Sequence, residues 1–144
     1  MRLYLDTSAL VKLYVVEDGS SLVRRFVAEA ETVATSLVTY VEARAALSRR
    51  RREGILAVPD YNRILREFND EWKRYFVMDI TNPLVKNAAM LAELHALRGY
   101  DTTQLASAES FREKINDPVV FGCWDSRLEA AARRQGLQLL RPVQ

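Results

Sequence analysis

With 144 residues, 49% hydrophobic and 28% charged, and with only 5 Gly and 4 Pro, the chain carries enough apolar content for a proper core, which excludes a disordered tail. Twenty-one Lys and Arg against nineteen Asp and Glu leave a formal charge of +2, too small for bulk basicity to signal nucleic acid. The single cysteine, Cys123, excludes an internal disulfide; it lies in an apolar stretch and reads as a buried, inert thiol, so a reducing cytoplasm is the expected compartment. No basic-then-apolar leader opens the sequence and no apolar run approaches the roughly 20 residues that cross a bilayer, so no membrane association is expected.

In chain order, residues 2–5 form a short apolar run ending at Asp6 and read as a strand. Residues 9–16 are too long and too apolar for a half-exposed strand and read as a helix. Ser20 or Ser21 begins an amphipathic helix to Ala30, and the β-branched run 32–36 gives a second strand. A helix from about Val38 passes through Glu42 into Arg49, Arg50, Arg51 and Arg52, with Gly54 as its stop. Pro59 opens another, spaced by Tyr61, Ile64, Leu65, Phe68 and Trp72.

Residues 75–80 read as a third strand. A helix follows from Asn82 and Pro83 to 97–99, then a second from Asp101 to Lys114. Residues 119–123 give a fourth strand, 126–135 a helix closed by Gly136, and 137–140 a last strand. Short apolar strands alternating with helices predict an α/β fold with a central parallel sheet of about five strands, covered by helices on both faces. No repeat, low-complexity tract or linker divides the chain, so one domain is expected over 1–144.

In an open parallel sheet, functional groups gather at the carboxyl ends of the strands. Asp6 and Asp125 fall there, and Glu42 lies about one turn into the helix after the second strand. The sequence does not fix the position of Asp101. Pooled carboxylates repel one another unless a cation joins them, and a hard divalent ion prefers oxygen ligands, so Mg²⁺ or Mn²⁺ accounts for such a grouping. A dication held there can polarise a phosphodiester and activate water.

Each acid also has a plain reading. Thr39-Tyr40-Val41-Glu42 fits a capping box, and Asp101 and Asp125 suit the N-cap position. Asp6 differs, because a carboxylate directly after an apolar strand is costly to bury without a partner. Thr7 and Ser8 can steady it, or simply start the next helix.

The run Leu5-Asp6-Thr7-Ser8-Ala9-Leu10-Val11-Lys12-Leu13-Tyr14 resembles the opening motif of PIN-domain nucleases, in particular VapC-type toxins. The similarity extends over essentially the whole chain. Glu42 before Ala43-Arg44 matches the second acidic position, Asp101 in Tyr100-Asp101-Thr102-Thr103-Gln104-Leu105-Ala106 the third, and Asp125 in Trp124-Asp125-Ser126-Arg127-Leu128 the fourth.

The resemblance implies a single PIN-like nuclease domain and Mg²⁺- or Mn²⁺-dependent cleavage of RNA, with Asp6, Glu42, Asp101 and Asp125 as catalytic and metal-holding residues and Thr7, Ser8 and Ser126 behind them. It implies a homodimer, and a heterotetramer or larger assembly with a VapB-type antitoxin. The chain departs from many relatives in carrying Gln104 where they have histidine, which puts in doubt any proton-transfer role at that position.

Arg44, Arg49 and Arg50, with Arg51 and Arg52, are candidates to meet RNA phosphates or an acidic antitoxin segment, although cations at a helix C-terminus also oppose its dipole. Tyr61, Phe68 and Trp72 recur at helical spacing and read as core or dimer interface, with Tyr14 and Tyr40 as second guesses for RNA contacts. His95, among Leu91, Leu94 and Leu97, reads as a packed or surface residue. Two rivals remain: a catalytically silent RNA- or protein-binding module of the same fold, and a phosphatase with Asp6 as nucleophile. The latter is disfavoured because Asp6-Thr7-Ser8 lacks a second acid two residues on.

Overall fold

The computed structural model describes residues 1–141; the last three residues of the expected 1–144 domain lie outside them. Among the described residues, five strands, β1 (Arg2–Leu5), β2 (Thr32–Ser36), β3 (Phe76–Met78), β4 (Val119–Gly122) and β5 (Gln138–Leu139), form one sheet in the order β3-β2-β1-β4-β5. Every pairing is parallel. Among the described residues the strands are joined through seven helices: α1 (Thr7–Val11), α2 (Ser20–Glu29), α3 (Val38–Arg52), α4 (Val58–Trp72), α5 (Asn82–His95), α6 (Gly99–Ile115) and α7 (Ser126–Arg134). None of the described helices is long and apolar enough to cross a membrane.

Alternation along the strands builds the two layers. Leu3 and Leu5 of β1 face one side with Val120 of β4, where they meet Ala9 and Leu10 of α1, Val23 of α2, Ala43 and Leu47 of α3, and Ile64 and Phe68 of α4. Tyr4 and Phe121 face the other side, stacked with ring centroids 5.6 Å apart, and meet α5, α6 and α7. Because β1 is covered on both faces, its last three residues, Leu3, Tyr4 and Leu5, are hydrophobic and fully buried, while Arg2 at its start is half-buried. Tyr40 of α3, Phe68 and Trp72 of α4 and Tyr75 just beyond α4 form a chain of stacked and edge-on rings, so these aromatics serve packing.

From β1 the chain winds outward through β2 to β3, then returns to lay β4 on the other side of β1. This reversal makes a topological switch point at the carboxyl ends of β1 and β4, the place where open parallel sheets bind ligands.

Element bounds depart from expectation at instructive places. The apolar run 9–16 is not one helix: α1 ends at Val11, and bonds of shorter span close a turn over Leu13 and Tyr14, at 3.0 and 2.9 Å. Lys12 there turns its amine to Glu17 at 3.2 Å and over the Trp124 ring at 4.7 Å. As far as Val15 the run's apolarity reports burial, since Tyr14 and Val15 are in the core, whereas Val16 at its end is exposed. Burial also removes Tyr14 as an RNA contact. The third strand is only Phe76–Met78, because Thr81 starts the next helix by accepting from the N–H of Leu84 at 3.3 Å. Its partner helix ends at Ala96 in a left-handed conformation (φ 53°), so Gly99 is not a stop but the first residue of α6.

Candidate active site

Asp6 follows β1 directly and caps α1. Its Oδ1 accepts from the N–H of Ala9 at 2.9 Å and from the hydroxyl of Ser8 at 2.7 Å. The residue is only 6% exposed. Burial, joined by the negative charges of Asp101 and Glu42, pushes its carboxyl up to about 7 against the opposing pull of those two hydrogen bonds. Ser8 is further fixed by the N–H of Trp124, which donates to its Oγ at 3.0 Å.

Glu42 lies in the first turns of α3, but not in a capping box. The helix begins at Val38 with Leu37 as its cap residue, which places Thr39 inside the helix rather than at its start. The Glu42 carboxylate faces across the sheet edge instead. Its Oε1 accepts from the Thr7 hydroxyl at 2.9 Å and from Nε2 of Gln104 at 3.1 Å. Gln104 is in turn held by the hydroxyl of Tyr4, which donates to its Oε1 at 2.6 Å. Tyr4 is completely buried, and its phenol is pushed well above the ordinary range by that burial.

Asp101 is not the cap of its helix either; α6 starts two residues earlier, and Asp101 stands in the first turn with the Arg98 guanidinium at 3.8 Å. Burial, followed by the charge of Asp125, raises its carboxyl above the ordinary range. Asp125 does take the N-cap position, of α7, and its Oδ1 accepts from the N–H of Leu128 at 2.9 Å. The charges of Glu42 and Asp101 thus reach Asp6, and those of Asp125 and Glu42 reach Asp101, although the four acids come from four segments of the chain.

A common pattern runs through three of them. Asp6, Glu42 and Asp125 each spend one carboxylate oxygen on their own scaffold, and their second oxygens take no hydrogen bond among the described residues. The donor set is entirely carboxylate oxygen, which suits a hard divalent ion that retains waters. Among the described residues, no three such side chains already close into a cage around a point.

The other expected residues divide. Thr7 and Ser8 touch Glu42 and Asp6 as described, whereas Ser126 is exposed and its hydroxyl makes no hydrogen bond among the described residues. Arg49 pairs with Glu53 at 2.8 Å and Arg50 with Glu17 at 3.0 Å, so both are engaged within the chain. Arg50 lies about 12 Å along α3 from Glu42. Arg44 is nearer and rests on Tyr40, donating to its hydroxyl at 2.9 Å. His95 is remote from the acids and bonds Gln135 at 3.0 Å. Cys123 is buried, and burial drives its thiol far above the ordinary range. The Tyr4 and Thr39 contacts of Gln104 have no local sequence signal, since they join positions 100 and 65 residues apart.

The parallel five-stranded sheet with acids at its switch point is the PIN architecture, and the family model for the PIN domain matches residues 3–134: the chain belongs to the PIN domain family. It is 34% identical over 137 residues to Ribonuclease VapC49 of Mycobacterium tuberculosis, an alignment covering 94% of this chain and 92% of that one. In three dimensions it is similar to VapC20 of Mycobacterium tuberculosis, described as a sarcin-ricin loop cleaving toxin, with a TM-score of 0.70 at 19% identity over 97% of this chain and 99% of that one. It is also similar to a chain of a toxin–antitoxin complex from Klebsiella pneumoniae, with a TM-score of 0.59 at 16% identity over 83% and 84% of the two chains.

Proposed function

We propose that this chain is a single-domain endoribonuclease dependent on Mg²⁺ or Mn²⁺, the toxin of a VapBC-type pair, with Asp6, Glu42, Asp101 and Asp125 as its catalytic and metal-holding residues. One observation carries the reading: a nearly buried carboxyl at the end of the central strand, its charged form opposed both by desolvation and by two neighbouring acids. Such an arrangement is costly unless a cation joins it. The ribonuclease relative at 34% identity supports RNA as the substrate class.

A dication bound at these carboxylates supplies charge neutralisation at the phosphodiester and makes water a competent nucleophile there. The chain's own residues do the rest. Ser8 and the Ala9 amide hold one oxygen of Asp6, Thr7 and Gln104 hold one of Glu42, and the Leu128 amide holds one of Asp125, so each presents its other oxygen in a fixed direction. Arg44, which rests on Tyr40, is one candidate to meet a phosphate, and Arg98, with its guanidinium 3.8 Å from Asp101, is the arginine in contact with an acid of the cluster.

Neutralisation by an acidic segment of a VapB-type antitoxin, and homodimers within that complex, accompany this reading. The buried free thiol of Cys123 suits a reducing cytoplasm.

Asp6→Asn tests it. Asparagine keeps the cap and its hydrogen bonds but not the charge, so RNA cleavage is abolished while the fold stays intact; cleavage at the wild-type rate by the purified variant overturns the assignment. Gln104, an amide with no proton to transfer, favours a silent binding module of the same fold as the second reading. Following RNA cleavage while titrating Mn²⁺ separates them, because a silent module gives no metal-dependent product.

A further inference from the structure

We propose that Gln104 is a positioning residue for Glu42 and that Tyr4 sets the orientation of its amide, the two forming a one-directional hydrogen-bond chain that presets this carboxylate toward a hard cation. The inference rests on the metal-dependent reading above. Tyr4 and Thr39 are fully buried and Gln104 is 2% exposed, so solvent is kept from the Tyr4–Gln104 and Gln104–Thr39 bonds, while the bonds to Glu42 and Thr7 are part-buried.

A protonated phenol donates, and at 2.6 Å it fixes the amide oxygen of Gln104 toward Tyr4. The amide nitrogen is thereby turned the other way, toward Thr39 at 3.0 Å, Glu42 at 3.1 Å and Thr7 at 3.3 Å. Were the amide reversed, its carbonyl would face the Glu42 carboxylate and the Tyr4 hydroxyl would face an NH₂ group. The Thr7 hydroxyl converges on the same Glu42 oxygen at 2.9 Å, so two donors grip Oε1 and the rotation of the carboxylate is set.

The chain also ties three elements together. Tyr4 belongs to β1, which ends one residue before Asp6; Gln104 sits on α6 three residues after Asp101; Glu42 is on α3. One relay, buried from Tyr4 to Gln104, therefore ties together the elements that carry the three acids whose charges meet at Asp6. An amide does this at every pH, because it has no proton to lose.

The test is Mn²⁺ titration calorimetry on the full chain without RNA, together with cleavage kinetics, for wild type, Gln104→Met and Tyr4→Phe. Gln104→Met is expected to weaken Mn²⁺ binding about tenfold or more and to lower kcat with KM for RNA unchanged. Tyr4→Phe keeps the ring stacked on Phe121 and is expected to shift both quantities in the same direction by a smaller factor. Wild-type Mn²⁺ affinity in both variants, with only a lower Tm, means that the relay is structural and overturns the inference. Should Gln104→Met fail to fold, wild-type affinity in Tyr4→Phe alone overturns it. A wild-type chain that binds no Mn²⁺ and shows no metal-dependent cleavage instead overturns the reading on which the inference rests.

Discussion

The backbone N–H of Asp6 donates to the carbonyl oxygen of Gly122 at 3.0 Å, extending the β1–β4 ladder one residue past its last paired position, Leu5 opposite Gly122. The first acid is thus pinned to the strand that leads to the fourth. Gly122 has no room for a side chain: a Cβ there would lie 2.8 Å from Leu5 Cδ2 and 3.2 Å from Leu140 Cδ1, both in the core. Gly122→Ala is expected to cost about 1–3 kcal/mol and to reduce cleavage as the two strand ends part, measured by chemical denaturation and by activity per folded molecule.

The carboxyl of Asp6 gives a pH signature. Its folded-state pKa, about 7, lies above the unfolded value of about 3.9, so the folded chain holds this proton more tightly. The stability contribution is full below pH 4 and is lost as pH rises toward 7, falling by about 1.4 kcal/mol for each step of one in pH. In chelator, the Tm of Asp6→Asn minus that of wild type should therefore grow between pH 4 and 7 and level off above. Adding Mn²⁺ at pH 7.5 should raise the Tm of wild type and not that of Asp6→Asn. A difference independent of pH contradicts a carboxyl that holds its proton to near neutrality.

Gly19 has φ +89°, and a Cβ on it would come within 2.8 Å of Trp124 Cε2. Trp124 precedes Asp125 and donates its N–H to Ser8, so its position bears on two acids at once. Gly19→Ala combines left-handed backbone strain of about 1 kcal/mol with displacement of the indole. Lower Tm, a shifted tryptophan emission and reduced cleavage are the expected results; unchanged emission would show that the ring does not depend on this glycine.

Legibility in the sequence follows the range of the interaction. The switch from the apolar β1 to Asp6-Thr7-Ser8 is local, and both the strand and the exceptional acid are readable from it. Glu42 is open between a capping box and a ligand because the pattern Thr39 to Glu42 fits either; only the helix starting at Val38 decides, by burying Thr39 against Gln104. Asp101 looks like a cap because Gly99 looks like a stop, yet the left-handed turn falls earlier, at Ala96. The run 9–16 misleads because apolarity marks burial equally in a helix or a turn. Gln104 stands out only as an unexpected residue. Its bond to Tyr4, 100 positions away, depends on the strand order, which no short window contains.

The sheet separates two helical layers, and the acids come from both: α3, carrying Glu42, packs on one face, while α6 and α7, carrying Asp101 and Asp125, pack on the other. Asp6 stands at the end of the strand between them. A ligand spanning all four is a clasp across the rim of the sandwich, so breathing of either layer away from the strands must first release it. Amide exchange should accordingly slow in both layers together when the clasp closes.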